Sequence, residues 1–365
     1  MTRAWYVLLA LMFAAFAVGE GWDFGTGALH LLVARSPAER RQVVRAVAPL
    51  WSWNEVWLIA AGGVLFLAFP KVFATALSGY YLAVFLLLWC LVLRGIALEV
   101  VGHLADPMWQ AFWDAVFAGS SALLALLFGA AFGNVLRGVP LGDDGRMFLP
   151  LFTDFGMRGR VGILDWYTMS VALFTLVLLA AHGATGLARR TSGPLELRSQ
   201  RYARWLWPAV VILLPVVSVE TGLVRPGFFA SIAQRPAAWL AVFALAAGLF
   251  SVLLGMLRGR QSLAFAGSCL VVAGLVGGAA ASMYPEMLHS TLDPANSITA
   301  ANGAADEHGL RMALAWWPIA LVLSLGYAGY VARRTGGKVH IEEARAEHAA
   351  GGANRETKAP GSNVC

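Results

Sequence analysis

The feature that most constrains this chain is a series of apolar stretches, each long enough to cross a membrane. A helix needs about 20 apolar residues to span a hydrocarbon core of about 30 Å. Nine such stretches occur, at residues 4–33, 51–69, 72–93, 115–136, 162–189, 205–224, 238–257, 263–284 and 312–332. They lack the two-residue alternation of barrel strands. The sequence therefore predicts an all-α, polytopic transmembrane helical bundle with about nine spanning helices.

The composition excludes a soluble enzyme and a nucleic-acid-binding protein. Hydrophobic residues make up 59% of the chain and charged residues only 13%, whereas soluble globular chains carry about 25% charged residues. The formal net charge is +6, but Lys and Arg lie between apolar stretches and form no single basic face for a nucleic acid. The lipid bilayer is the first partner that the sequence indicates, and we expect no nucleic acid.

The distribution of basic residues predicts the orientation. Of the 27 Lys and Arg, 18 fall on the side of the nine spans that includes the tail, and nine on the other. Because positive charge is retained in the cytoplasm, we expect a periplasmic amino terminus and a cytoplasmic carboxyl terminus. We expect residues 1–332 to form the transmembrane domain and the polar residues 333–365 to form a disordered cytoplasmic tail.

Two acids lie within the first predicted span. Glu20 and Asp23 are three residues apart, which places both carboxylates on one face of a helix. An ionisable group costs about 2.5–3.5 kcal/mol at the centre of a spanning helix, so each needs a reason to be there. One interpretation is a proton or cation path. The other is a structural pair of acids, hydrogen-bonded to polar neighbours, with one of them protonated.

A second polar group opens the second span. Ser52 is followed three residues later by Glu55, which fits a capping box that satisfies backbone amides of the first turn. Asn54 lies between them, and three tryptophans surround the group. Since the group follows a strongly basic loop, at the predicted cytoplasmic mouth, a role of Glu55 in proton uptake is the alternative to capping.

Arg94 and Glu99 lie at the end of the third predicted span. Arg94 has two interpretations. Its long side chain can extend to the cytoplasmic headgroups, which needs no function. Alternatively, it is a buried partner for one of the acids. The proton-path candidates are thus Glu20, Asp23, Ser52, Asn54, Glu55, Arg94 and Glu99.

Glycine pairs occur in two of the predicted spans, at Gly62-Gly63 and Gly277-Gly278. No phosphate-binding loop, catalytic triad or zinc spacing accompanies them. Small residues allow helix backbones to approach closely in lipid, so we expect both pairs to mark close helix packing.

The histidine positions argue against haem or metal ligation by this chain. Histidine is a common axial ligand of haem iron, and the chain has seven. Only His182 lies deep in an apolar stretch, where a hydrogen-bonded core histidine is the simpler interpretation. The others fall near predicted membrane edges, in a loop or in the tail, at His30, His103, His289, His308, His340 and His348. We therefore expect no haem, other cofactor or metal on this chain alone, and we assign it no catalytic residue.

Several motifs in one order carry a resemblance to a known family. They are Gly21-Trp22-Asp23-Phe24-Gly25, Trp51-x-x-Asn54-Glu55-Val56-Trp57-Leu58, Gly62-Gly63 with Phe69-Pro70, Leu77-Ser78-Gly79-Tyr80 and Leu93-Arg94-Gly95-x-x-x-Glu99. Weaker similarity continues at Phe132-Gly133-Asn134 and at Tyr284-Pro285. In order and spacing, the chain resembles subunit II of the cytochrome bd-type quinol oxidases over nearly its whole length.

The resemblance implies one subunit of a terminal oxidase of aerobic respiration in the bacterial inner membrane. It implies a heterodimer with a subunit I that carries two b-type haems and one d-type haem, oxidises quinol and reduces dioxygen to water. A small accessory subunit is compatible with it. The resemblance further implies that subunit II supports assembly and is a candidate for proton delivery from the cytoplasm.

The chain departs from the family pattern in two places. Ser52 and Trp53 stand where the family commonly has an acid and a small residue, so an acid proposed for proton uptake is missing. Either Glu55 takes that role or the path begins elsewhere. Asn302-Gly303-Ala304-Ala305 also replaces a segment that tends to begin with an acid, which weakens any site in that loop.

A second class of function is a secondary transporter that uses Glu20, Asp23 and Glu55 as a cation site near the midplane. An internal inverted repeat or paired broken helices would favour that class, and the sequence shows neither. A neighbouring gene for a haem-bearing membrane protein would favour the oxidase.

Overall fold

The computed structural model describes residues 1–104, 106–157 and 160–340. Helices dominate this part of the chain: α1 (Thr2–Val33), α2 (Pro37–Val47), α3 (Trp51–Ala68), α4 (Pro70–Gly79), α5 (Tyr81–Val100), α6 (Pro107–Arg137), α7 (Trp166–Arg190), α8 (Pro194–Val224), α9 (Phe228–Gln234), α10 (Pro236–Leu257), α11 (Gln261–Met283) and α12 (Glu307–Thr335). Two short strands, β1 (Glu286–Leu288) and β2 (Ile298–Thr299), pair antiparallel in the loop before α12.

The predicted helical membrane bundle is confirmed. Within the described residues, eight helices are long and apolar enough to cross a membrane. A ninth span results if α2 and α3, which meet at a bend of 44°, are counted as one. The second predicted span corresponds to α3, and α2 precedes it as a polar helix with its own proline start and capping box.

Two helices, α6 and α12, begin before their predicted apolar stretches, and in each an aspartate caps the first turn. α6 begins eight residues early, at Pro107, where the Asp106 side chain accepts a hydrogen bond from the amide of Trp109 at 2.7 Å. α12 begins in the same way, with Asp306 accepting from the amide of His308 at 2.9 Å. Hydropathy detects the part of a helix that lies in lipid, whereas caps set where the helix starts.

The third predicted span, residues 72–93, is wrong in its boundaries. The chain forms two helices there, with α4 ending at Gly79 and α5 starting at Tyr81. Tyr80 between them has a non-helical backbone. Glycine is a weak helix former, and the Met147 side chain of the loop after α6 packs directly on Gly79. The spanning helix is therefore α5, which runs on to Val100.

α1 lies at the centre of the bundle, where it packs against α3, α6, α7 and α11. Its contact with α7 is backbone against backbone. A Cβ atom on Gly25 would overlap the carbonyl of Leu179, and one on Gly183 would overlap the backbone of Gly25. The acidic stretch of α1 is consequently fixed against α7.

The two glycine pairs differ in their surroundings. A Cβ on Gly277 or Gly278 would lie 3.8 Å or 3.6 Å from Ala241 of α10, so this pair does face a neighbouring helix. A Cβ on Gly62 or Gly63 would meet nothing within 4 Å among the described residues. The expectation of close packing within this chain is therefore wrong for Gly62-Gly63, because that face of α3 points away from the bundle.

The start of the predicted tail is in contact with the bundle. α12 continues to Thr335, and the amide of Val339 donates to the carbonyl of Arg190 at the end of α7, at 2.7 Å. Lys338 lies 2.7 Å from Glu196 of α8. Residues 341–365, the rest of the predicted tail, lie outside the described residues, and His348 is among them.

Candidate functional site

Arg94 lies at the centre of a buried ionic cluster formed by three helices. It projects from α5 with no exposed surface. Its Nη1 atom is 3.1 Å from Glu20 Oε2 on α1 and 3.7 Å from Glu55 Oε1 on α3. Its Nη2 atom is 3.4 Å from Asp23 Oδ2 on α1. We call Glu20, Asp23, Asn54, Glu55 and Arg94 the Arg94 cluster.

Neutral groups complete the surroundings of the cluster. Asn54 is buried on α3 and donates a hydrogen bond from Nδ2 to Asp23 Oδ2 at 2.9 Å. The ring of Phe24 lies on another side of Arg94, with its centre 5.0 Å from Cζ, a distance typical of a cation–π contact. Arg94 is thus oriented by contacts on several sides.

The cluster has more negative than positive groups. Three carboxyl groups share one guanidinium, so the cluster would carry a formal charge of −2 if all were ionised. Both carboxylate oxygens of Glu20 and Oδ1 of Asp23 accept no hydrogen bond from the described residues. Uncompensated charge is costly to bury, and buried polar atoms without a partner need an explanation. Proton exchange and cation binding are two explanations for these unpaired carboxylate oxygens.

Glu55 connects the cluster to the surface. The side chains of Glu20 and Asp23 are fully buried, whereas 24% of the Glu55 side chain is exposed. Glu55 lies in the second turn of α3, close to the bend between α2 and α3. The three carboxyl groups thus surround Arg94. Glu55 is partly exposed, and Glu20 and Asp23 are buried.

The structure excludes the capping box predicted at Ser52 and Glu55. α3 starts at Trp51, its N-cap is Leu50, and no side chain caps it. Ser52 is therefore inside the first turn, where its side chain is exposed. The capping box of this region is instead formed by Ser36 and Glu39 at the start of α2. Capping no longer accounts for Glu55.

Two other interpretations change. Extension of Arg94 to the headgroups is wrong, because the side chain is fully buried, and the alternative of a buried partner is correct. Glu99 is exposed on α5 and is not part of the cluster. Of the seven candidates, the structure thus brings together Glu20, Asp23, Asn54, Glu55 and Arg94, and leaves out Ser52 and Glu99.

A second buried ionic group, at His30 and Asp114, is not evident from the sequence. His30 Nε2 on α1 lies 2.8 Å from Asp114 Oδ1 on α6, and Arg40 of α2 lies 3.2 Å from the other Asp114 oxygen. His30 is in the last turn of α1, in line with its predicted place near a membrane edge, and its side chain is completely buried. It follows Asp23 by two helical turns. Asp114 stands one residue before the predicted fourth span, so a wider search window would have included it.

The deepest histidine has no free nitrogen for a haem iron. His182 Nδ1 is 2.7 Å from Ser268 Oγ and Nε2 is 3.0 Å from the carbonyl of Val18. The interpretation of His182 as a hydrogen-bonded core residue is therefore confirmed. No group of three or more His, Cys, Asp or Glu with metal-binding geometry occurs in the described ranges.

Comparison with known proteins gives one consistent result. The family model described as "Cytochrome bd terminal oxidase subunit II" matches residues 1–334. The "Cytochrome bd-I ubiquinol oxidase subunit 2" of Escherichia coli K12 is 28% identical over 345 residues, which cover 87% of this chain and 89% of that protein. The "Cytochrome bd ubiquinol oxidase subunit 2" of Bacillus subtilis is 26% identical over 311 residues, 84% of this chain and 88% of that protein.

A solved structure shares the fold. A chain from the bd oxidase of Geobacillus thermodenitrificans superimposes with a TM-score of 0.67, covering 91% of this chain and 97% of that chain. The sequence identity is 14%, so this likeness bears on the fold alone.

Proposed function

This chain belongs to the cytochrome bd terminal oxidase subunit II family, and from that membership we propose that its Arg94 cluster delivers protons to the oxygen-reducing partner subunit. The chain is subunit II of a quinol oxidase that reduces dioxygen. The family match over residues 1–334 leaves the transporter alternative without support.

The observation that carries the proposal is the arrangement of carboxyl groups around Arg94. Glu55 is partly exposed, while Glu20 and Asp23 are fully buried within 3.1 Å and 3.4 Å of the same guanidinium. A group that passes protons must change its protonation state during turnover. A shared guanidinium stabilises whichever carboxylate is ionised, so a proton can move among the three without leaving an unpaired charge in the membrane.

The path that follows from this arrangement has three steps. Glu55 takes up a proton at the bend between α2 and α3. The proton passes to Asp23 or Glu20 as Arg94 shifts its pairing to the newly ionised Glu55. The buried acid then releases the proton toward the partner subunit. Reduction of one dioxygen to two waters consumes four electrons, which two quinol molecules supply, and four protons, which the proposed path delivers.

We assign the cofactors to the partner. Family membership implies a haem-containing complex with a subunit I. We propose that subunit I holds two b-type haems and one d-type haem and oxidises the quinol, forming a heterodimer with this chain, with a small accessory subunit as a compatible addition. His182 does not fit a haem, because both its ring nitrogens are engaged.

The orientation completes the proposal. The chain is a multi-pass protein of a bacterial respiratory oxidase, consistent with the inner membrane. We propose a periplasmic amino terminus and a cytoplasmic carboxyl terminus from the excess of basic residues on the tail side. This orientation places the bend between α2 and α3, and with it Glu55, on the cytoplasmic side.

The test compares Glu55, which belongs to the Arg94 cluster, with Glu99, which does not. Glu55→Gln keeps the shape of the side chain but cannot carry a proton, so we expect quinol oxidase turnover to fall about a hundredfold, the lower end of the range that one positioned acid–base group contributes. Glu99→Gln is the matched control, because Glu99 is exposed and outside the cluster. Haem content and complex yield are measured in parallel and should match the parental complex in both variants.

Two outcomes would contradict proton delivery by the cluster. One is parental turnover and proton uptake in Glu55→Gln, Glu20→Gln and Asp23→Asn alike, which would make this chain a scaffold. The other is a turnover loss matched by an equal loss of haem, which would indicate a role in assembly.

A further inference from the structure

A groove of about 590 Å³ lies on the outside of the bundle along α1, α7 and α11. Its lining is mostly apolar and includes Val18, Arg189, Ser262, Phe265, Cys269 and Leu270. From Ser262, at the start of α11, the groove extends to Ala273, eleven residues and so about 16 Å along the helix. Half of a hydrocarbon core of about 30 Å is 15 Å. The groove is therefore about as long as one leaflet is deep.

An arginine is held at the polar end of the groove. Arg189 is exposed in the last turn of α7, and its Cζ lies 5.2 Å from the centre of the Phe265 ring. Phe265 is itself fixed, because it stacks on His182 with ring centres 5.3 Å apart and an interplanar angle of 5°. Within the described residues, Arg189 makes no ion pair with a carboxylate. Its N–H groups are available to a ligand.

The turn between α10 and α11, next to the groove, adds further positive charge. Arg258 and Arg260 are exposed in the turn that leads into Ser262. The sequence contains no Asp or Glu between Glu220 and Glu286. Two further guanidiniums thus precede the groove-lining Ser262, in a segment that has no acid of its own to neutralise them. Basic sites between spanning helices are typical binding sites for anionic lipid headgroups.

From these features we infer that the groove binds one anionic phospholipid. One acyl chain lies along α11 between Phe265 and Ala273, and the phosphate contacts Arg189 and the Arg258–Arg260 turn. A neutral quinone would fill the apolar part but leave the arginines unpaired. An apolar helix of a partner would do the same. The inference depends neither on the proton path nor on which leaflet faces the cytoplasm.

Native mass spectrometry of the intact two-subunit complex in detergent tests the site, with added phosphatidylglycerol and uncharged phosphatidylcholine as the two probes. Arg189→Gln removes the phosphate contact and Ala266→Trp fills the groove from an exposed position that lines it. Arg201→Gln is the matched control, since Arg201 is exposed on α8 and does not line the groove.

We expect phosphatidylglycerol to bind more tightly than phosphatidylcholine to the parental complex. A basic residue near the membrane surface contributes about 1 kcal/mol to the binding of an anionic lipid, so Arg189→Gln should weaken phosphatidylglycerol binding about fivefold. Ala266→Trp should weaken it at least as much, and Arg201→Gln should leave it unchanged. Haem content in each variant confirms that the complex is intact.

Three results would overturn the site. Equal binding of the two lipids would remove the role of the arginines. Equal effects of Arg189→Gln and Arg201→Gln on phosphatidylglycerol binding would show that the lipid responds to the surface charge in general and not to a contact with Arg189. The third result combines two observations: the Ala266→Trp complex loses subunit I, and Arg189→Gln binds phosphatidylglycerol as the parental complex does. Together they would show that the partner subunit occupies the groove.

Discussion

Arg94 on α5 lies 3.1 Å from Glu20 on α1, and neither side chain has any exposed surface. The pair crosses from one helix to another inside the bundle. The same guanidinium also contacts Asp23 and Glu55. One cation therefore holds together α1, α3 and α5 by their charges.

Removal of this cation should destabilise the complex strongly. Arg94→Gln leaves buried carboxylates without a partner, and breaking a buried ion pair from one side costs about 3–5 kcal/mol. We expect a lower melting temperature and a lower yield of the purified complex. Arg94→Lys keeps the charge but not the fork of donors, so its effect should be smaller. Arg204→Gln, at an exposed position on α8, is the control; an unchanged melting temperature in Arg94→Gln would refute the interpretation.

The backbone contact between α1 and α7 should tolerate no added methyl group. Gly25→Ala places a Cβ against the Leu179 carbonyl, and forced overpacking costs about 1–3 kcal/mol or more. Because both partners are backbone, the helices must separate to accommodate it. Thermal stability measured by residual haem absorbance should fall for Gly25→Ala. Gly119→Ala, where a Cβ meets nothing within 4 Å, should behave like the parental complex, and equal stability of the two variants would count against this packing.

The chain expressed without its partner should show no haem absorbance. The reason is chemical, since His182 has both nitrogens engaged and His30 is paired through Nε2 with Asp114. Reduced-minus-oxidised spectra of the purified single chain and of the two-subunit complex provide the comparison. Haem bands in the single chain would require a haem ligand other than His182 and His30, and would contradict the assignment of all haems to subunit I.

The orientation predicts the result of reporter fusions. A fusion after Gly336, behind the last spanning helix, should be fluorescent as a cytoplasmic protein and inactive as alkaline phosphatase. A fusion in the loop after α6, at Gly145, should give the opposite pattern. Phosphatase activity behind α12 would reverse the proposed topology and move Glu55 to the periplasmic side.

The sequence predicts the members of the Arg94 cluster better than their contacts. Glu20 and Asp23 stand out because acids are rare in spanning helices, and Arg94 because it ends an apolar stretch. Whether Arg94 extends to the headgroups or turns inward depends on which face of α5 is directed into the bundle, and that is a property of tertiary packing. The capping box predicted at Ser52 and Glu55 is wrong for a local reason. α3 starts at Trp51, so Ser52 is an interior residue of its first turn and not the N-cap.

The second ionic group shows a different limit. Asp114 and His30 are 84 positions apart, and no local pattern links them. Hydropathy windows separate spans from loops, so a polar residue in the extended first turns of α6 is assigned to a loop. Helix boundaries set by caps such as Asp106 must be recognised before such a residue is placed inside the bundle.

The contact between Gly25 and Gly183 limits how the cluster can operate. Because the backbone of α1 contacts that of α7 at Gly25, a rotation of α1 would bring the larger neighbouring residues Phe24 or Thr26 into a place where even a Cβ atom does not fit. The backbone positions of Glu20 and Asp23 are then fixed. Any change in the ion pairs of these two residues must come from rotation about their side-chain bonds. The helices around the cluster are therefore rigid at this level, and in the proposed proton path it is the side chains of Glu20, Asp23 and Arg94, not whole helices, that move.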